Sequence, residues 1–311
     1  MRNETAALRN SGTPELHADP VDAPRCHHGE GPVWDDRRGV LHWVDLTAGI
    51  VHHRDHDGGI SSDLYSGEIT AIAPHERGGL VATTTVGFAH LGAQHIRPLT
   101  QVLLAGGERR MNDGGCDDAG RFIAGAMSRA AAPGQGTLFS LDIDGTARIL
   151  LDAVTIPNGL DWSPDGSHFY FTDSAARTVQ VFDYDQLTGE IGDSYTVLDF
   201  TGDEGEPDGL TVDSRGNLWV AMWDGWQVRC YTSDGVQLWT LPLPVQRPTS
   251  VAFGGRDLRD LFITTSQFGL GPDELADQPD AGRLFCSPSA PVPGRRARVC
   301  RVKLPDWLSQ Q

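Results

Sequence analysis

The chain has 311 residues, 39% of them hydrophobic, and no stretch approaches the roughly 20 consecutive apolar residues of a membrane-spanning helix. Its 25 lysines and arginines against 42 aspartates and glutamates leave a formal charge of −17, which disfavours nucleic acid and anionic membranes as partners and leaves cation binding unopposed. Five widely spaced cysteines without a Cys-x-x-Cys pair argue against a disulfide framework and a thiolate zinc site.

Residues 1–22, polar and rich in alanine, read as a loosely ordered N-terminal extension without a secretory signal, and residues 23–311 as one domain in a reducing, cytoplasmic setting. Residues 31–34 and 40–45, separated by a turn, predict two strands, and 50–53 with 60–65 complete a four-strand unit. His27, His28, His42, His52, His53 and His56 crowd this region, but strand alternation scatters them over both faces, so a zinc site is not favoured there. A second unit starts at Ile69 and continues through strands at 79–84 and 86–91.

Further along, one phrase recurs. Glu30, Asn112, Asn158 and Asp208 each stand five positions before an Asp or Ser that opens a turn, namely Asp35, Asp117, Ser163 and Asp213. Weaker copies begin at Ile69 and Thr249, so the heads are spaced by 39 to 50 residues. That period is the mark of a β-propeller blade, and six copies predict an all-β, six-bladed β-propeller. Residues heading the blades converge near the axis, so Glu30, Asn112, Asn158 and Asp208 are the expected donors of an axial metal site. Carboxylate and amide oxygens suit one divalent ion, calcium or zinc foremost and manganese or magnesium next. A purely turn-forming role for these Asn and Asp residues is the competing reading, and it leaves Glu30 unexplained.

Other motifs carry less. Asp113, Asp117 and Asp118 lack the terminal Glu of an EF-hand loop and read as hydrated turn carboxylates. No Gly-x-Ser-x-Gly elbow and no phosphate-binding Gly-x-x-x-x-Gly-Lys-Ser/Thr loop occurs. Trp219 is expected in the core between blades, and either Trp223 or Trp226 at the mouth of a pocket.

Arg110-Met111-Asn112-Asp113-Gly114, then Asp117 with Gly120-Arg121 and Ala124-Gly125-Ala126-Met127, is similar to the regucalcin and gluconolactonase family, the senescence-marker-protein type. The likeness continues through Asn158-Gly159-Leu160-Asp161-Trp162-Ser163, Pro207-Asp208-Gly209, Gly216-Asn217-Leu218-Trp219 and Phe253-Gly254-Gly255. The resemblance implies a propeller that hydrolyses a sugar lactone, its small-molecule substrate, to the hydroxy acid. It implies that Glu30, Asn158 and Asp208 hold the metal, and that Arg110 and Asn112 contact substrate, with Asn112 at or near the ion. Ala130 stands where animal members carry a substrate-facing Glu, so a smaller, less hydroxylated or acidic lactone is expected to be tolerated better. Chemically, Asp208 is the expected general base and Arg110 the group that steadies developing oxyanion charge. Two alternatives remain open: a non-catalytic propeller that binds metal or protein, and hydrolysis of another ester or a phosphotriester at the same ion.

Overall fold

Short runs rich in Val, Ile, Phe, Trp and Thr, cut by Gly and Asp turns, pair as antiparallel hairpins. The computed structural model describes residues 16–92 and 95–305, which form six four-stranded sheets. The first strands of successive sheets, Gly29–Asp35, Ile69–Pro74, Arg109–Cys116, Pro157–Trp162, Glu206–Val212 and Pro248–Gly254, touch one another in a closed ring. The protein is therefore a six-bladed propeller with these strands innermost, as the repeat predicts.

The last blade is closed by the other end of the chain. Asp19–Pro20 pairs with Phe285 and Cys286 as that blade's outer strand, and Leu16 is buried beside Val245 and Phe285. Residues 16–22 thus belong to the ring rather than to a loose extension; residues 1–15 lie outside the described ones.

Each innermost strand carries one extra residue relative to its neighbour. Asn112 and Asp113 together oppose Gly125, Asn158 and Gly159 oppose Thr172, and Asp208 and Gly209 oppose Ala221. In the first blade the shift falls directly after Glu30. Such bulges release a residue from the ladder and re-aim its side chain. The glycines are required by crowding: a Cβ on Gly159 would sit 2.3 Å from the Leu210 nitrogen, and one on Gly209 2.2 Å from Ser250 Oγ. Asn-Gly and Asp-Gly here mark inner strands in close approach, which removes the turn-forming reading.

In the second and sixth blades the extra residues are Thr70 and Thr249. Their hydroxyls are engaged locally, Thr70 with Thr83 Oγ1 at 2.6 Å and Thr249 with the Gly29 carbonyl at 2.6 Å. Ile69 pairs with Thr84 and is fully buried, so these two sectors of the ring serve packing.

Aromatic side chains fill the seams between blades. Trp219 is 1% exposed, stacks on Trp239 at 5.8 Å and meets Phe253 of the next blade edge-on at 5.8 Å, the inter-blade place expected for it. Fully burying one such ring contributes about 1.5–3 kcal/mol. Asp117 is no hydrated turn carboxylate: it is 1% exposed and accepts from Arg121 Nη1 at 2.6 Å and Tyr184 OH at 2.9 Å. With water closed off there, the charge is satisfied by Arg121 and Tyr184.

A C-terminal strap crosses the far end of the channel. It bonds through the Pro293 carbonyl to Ser214 N, through Arg301 N to the Gly120 carbonyl, and through Lys303 N to the Ile143 carbonyl. Asp161 anchors it, accepting from Arg295 Nη2 at 2.9 Å and Arg298 Nη1 at 2.5 Å. Burial opposes the Asp161 charge, yet Arg295 and Arg298 hold its carboxyl below the usual range. All five cysteines are free thiols, and no helix among the described residues is long and apolar enough to cross a membrane.

Candidate metal centre and substrate pocket

Three of the blades deliver a bulge residue, and the first blade the residue directly before its bulge, to one place. Glu30, Asn112, Asn158 and Asp208 all line a cavity of about 200 Å³ at the end of the channel opposite the strap, and Arg110 lines it with them. Asn112 and Asp208 are buried, at 7% and 5% exposure, so their polar atoms need partners or a ligand.

Hydrogen bonds fix both amides. The Pro157 carbonyl can only accept, so the Asn112 nitrogen lies there at 2.8 Å and its oxygen turns to Arg110 Nη1 at 2.6 Å. Ser174 Oγ donates its single proton to the Pro207 carbonyl at 2.5 Å and therefore accepts from the Asn158 nitrogen at 2.8 Å. The Asn158 oxygen is left facing inward, where the Asn112 nitrogen meets it at 2.5 Å. Asn112 is thus committed to Arg110, and Asn158, Glu30 and Asp208 are the freer oxygen donors.

The charges around these donors call for a cation. Burial first, then Glu30, Asp113 and Glu206, push the Asp208 carboxyl well above its usual range, with Arg110 opposing. Asp113, beside Asn112, is pushed up to about 7 by burial and by Glu30. Glu30 itself is within 3.3 Å of His28 Nε2 and of the Gly31 amide. Repelling carboxylates with an inward amide oxygen fit a hard, oxygen-preferring divalent ion. No cluster of three His, Cys, Asp or Glu side chains able to hold a metal occurs among the described residues, so this donor set depends on its amide. In the histidine run, His42 and His53 meet at 2.6 Å through their Nδ1 atoms, and His53 Nε2 lies 3.2 Å from Asp63 Oδ2.

The remaining walls include residues that the sequence pattern did not single out. His28, Met127, Ile156, Ser174, Glu206 and Phe268 line the cavity. Glu206 could have been suspected from its place two residues before Asp208; Phe268 sits in a loop after the sixth blade's second strand and had no signal. Trp223 is the tryptophan at the pocket, stacked with His28 at 5.7 Å, whereas Trp226 is 43% exposed and outside the lining. Ala130 is exposed in the turn beyond Phe122–Ser128 and does not line the cavity.

Comparison with known proteins agrees with the propeller fold. The model of a family described as SMP-30/gluconolactonase/LRE-like region matches residues 28–267. Regucalcin of Oryctolagus cuniculus is 37% identical over 269 residues, covering 84% of this chain and 90% of that protein. Among solved structures, a calcium-binding regucalcin of Agrobacterium tumefaciens has a TM-score of 0.86 at 25% identity, covering 91% of this chain and 97% of that one. A luciferin-regenerating enzyme has a TM-score of 0.85 at 28% identity, covering 93% of this chain and all (100%) of the other.

Proposed function

The chain belongs to the SMP-30/gluconolactonase/LRE-like family, and from that premise we propose that it hydrolyses a lactone to its hydroxy acid with the help of one divalent cation. The observation that carries the reading is the convergence of Glu30, Asn158, Asp208 and the Arg110–Asn112 pair on one axial cavity. Glu30, Asn158 and Asp208 would hold the ion, calcium or zinc before manganese or magnesium, with Asn112 beside it. Bound there, such an ion polarises a carbonyl and lowers the pKa of water.

The chain's own groups account for the rest. Asp208 accepts the proton of the attacking water as its oxygen bonds to the lactone carbonyl carbon. When the ring C–O bond breaks, the same proton can return to the departing alkoxide. Arg110, held in place by its bonds to the Met111 carbonyl and Asn112 Oδ1, is aimed to steady charge on the carbonyl oxygen. Ser174 keeps the Asn158 oxygen turned inward. A structural ion has no use for a desolvated arginine beside it, which favours catalysis over a binding-only propeller.

The test is turnover of a lactone panel by chelator-stripped protein, followed by add-back of calcium, zinc, manganese or magnesium. Loss on stripping and recovery with one of them supports the reading. Absence of turnover with every lactone and every ion contradicts it and favours a binding propeller.

A further inference from the structure

A polyhydroxylated lactone needs a hydrogen-bond partner for each hydroxyl it brings out of water, because every unpaired one costs free energy. The groups bounding this cavity do not supply them evenly. Charged side chains that neighbour the lining residues Arg110, Glu206 and Trp223 are engaged with each other. Arg129 grips Glu68 through two bonds of 3.0 and 2.8 Å, Arg177 Nη1 reaches Glu206 at 3.3 Å, and Arg247 Nε reaches Asp224 at 2.6 Å. The charged side chains that line the cavity itself are Glu30, Arg110, Glu206 and Asp208.

Beside the polar His28, Ser174 and Glu206, the rest of the lining offered to a ligand is apolar. Met127, Ile156, Trp223 and Phe268 line the same cavity, and Phe268 keeps 49% of its surface exposed. An exposed phenyl ring at the edge of a pocket gains by covering itself with apolar ligand surface. The wall is also set in advance. His28 lies 5.7 Å from Trp223 at 27° between planes and 5.4 Å from Phe268, and the Arg247 guanidinium sits 4.8 Å from the Trp223 ring centre. The Phe268 backbone is pinned on both sides, its amide donating to Ser266 Oγ at 2.9 Å and its carbonyl accepting from Arg247. Rings already fixed by their neighbours lose little freedom when a ligand docks.

Resting on the lactonase reading, we propose that the preferred substrate is a lactone bearing an apolar alkyl or aryl substituent, which lies against Phe268, Trp223, Met127 and Ile156 while the carbonyl faces Arg110 and Asp208. This differs from the aldonolactones in the chemistry of the group distant from the reacting carbon. Phe268 is then a specificity-determining residue.

The experiment compares γ-phenyl-γ-butyrolactone, γ-octalactone, γ-butyrolactone and glucono-δ-lactone by kcat/KM on the full-length, metal-supplemented protein. Calorimetry measures binding of their ring-opened hydroxy acids. The apolar lactones should exceed both unsubstituted and polyhydroxylated ones by roughly tenfold or more, the scale of a few well-placed methylenes. Phe268→Ser should shrink that preference several-fold, with the acids showing the same order of affinity; a melting curve verifies that the variant folds. The phenyl and butyl substituents separate stacking on Phe268 from simple burial. Preference for glucono-δ-lactone, or a preference untouched by Phe268→Ser, overturns the inference while leaving the hydrolase intact. Failure to turn over any lactone overturns the hydrolase reading and this inference with it.

Discussion

Asp208→Asn separates the two duties placed on that side chain. The variant keeps its shape and an amide oxygen of the kind Asn158 already presents, so fold and part of the cation affinity survive, but an amide cannot take a proton from water. Removing a general base costs about a hundredfold or more in rate, or ~2.7 kcal/mol of barrier. The surroundings predict an opposite effect on stability. Asp208 is 5% exposed, and burial, Glu30, Asp113 and Glu206 all press against its charge. Relieving an uncompensated buried group is worth about 1–3 kcal/mol, and each kcal/mol moves the Tm of a domain of this size by roughly 2–4 °C. Chelated Asp208→Asn protein should therefore melt several degrees higher than the parent. Glu30→Gln should act chiefly through cation affinity, so excess cation restores much of its rate. The assay is pH-stat hydrolysis across a cation titration, paired with calorimetric melting of chelated samples. If saturating cation rescues Asp208→Asn as fully as Glu30→Gln, Asp208 is a ligand only and the base lies elsewhere; a lower Tm would refute the charge argument.

Ser174→Ala frees the Asn158 amide to turn its nitrogen inward, so cation affinity measured by calorimetry should fall by about 10–100-fold, the usual cost of losing such a supporting bond; unchanged affinity would refute the orienting role. Asp161→Ala leaves Arg295 and Arg298 without their shared partner under the strap, and should cost about 3–5 kcal/mol in urea unfolding, whereas a loss under 1 kcal/mol, roughly the worth of a surface pair, would show that the strap is held by its backbone bonds. Acid should also destabilise the fold. Burial, and then His53, push His42 down to about 4 from an ordinary 6.5, and burial likewise lowers His52, His75 and His90. The unfolded chain then binds protons that the folded one refuses, so stability present above pH 6.5 is lost as pH falls from 6.5 toward 4. His42 alone contributes about 2 kcal/mol of that loss by pH 5, and a urea midpoint unchanged between pH 7 and pH 5 would contradict it.

The ring and its axial residues were legible because both depend on periodicity. Glu30, Asn112, Asn158 and Asp208 repeat in step with the blades, and the glycines beside two of them record contacts between inner strands that tolerate no Cβ. Ile69 misled as a blade head because the bulge falls one residue later, at Thr70, a shift that hydrophobic pattern cannot register. Asp117 misled because Tyr184, which closes it off beside the turn partner Arg121, comes from the next blade. The substrate wall was least legible. Phe268 comes from a loop outside the recurring phrase, Ile156 shares with Glu206 only its place two residues before a blade head, and Ala130, whose identity drew attention in sequence, is exposed outside the cavity. Leu16 and Asp19–Pro20 likewise look like a tail until the last blade is seen to need an outer strand.

The central claim is that the blade-head oxygens hold one cation at the axis, and anomalous diffraction from crystals soaked in manganese or zinc addresses it most directly. A single strong peak is expected in the cavity, within roughly 2.0–2.6 Å of side-chain oxygens of Glu30, Asn158 and Asp208. A cavity without a peak, or a peak between His42 and His53 instead, would contradict it.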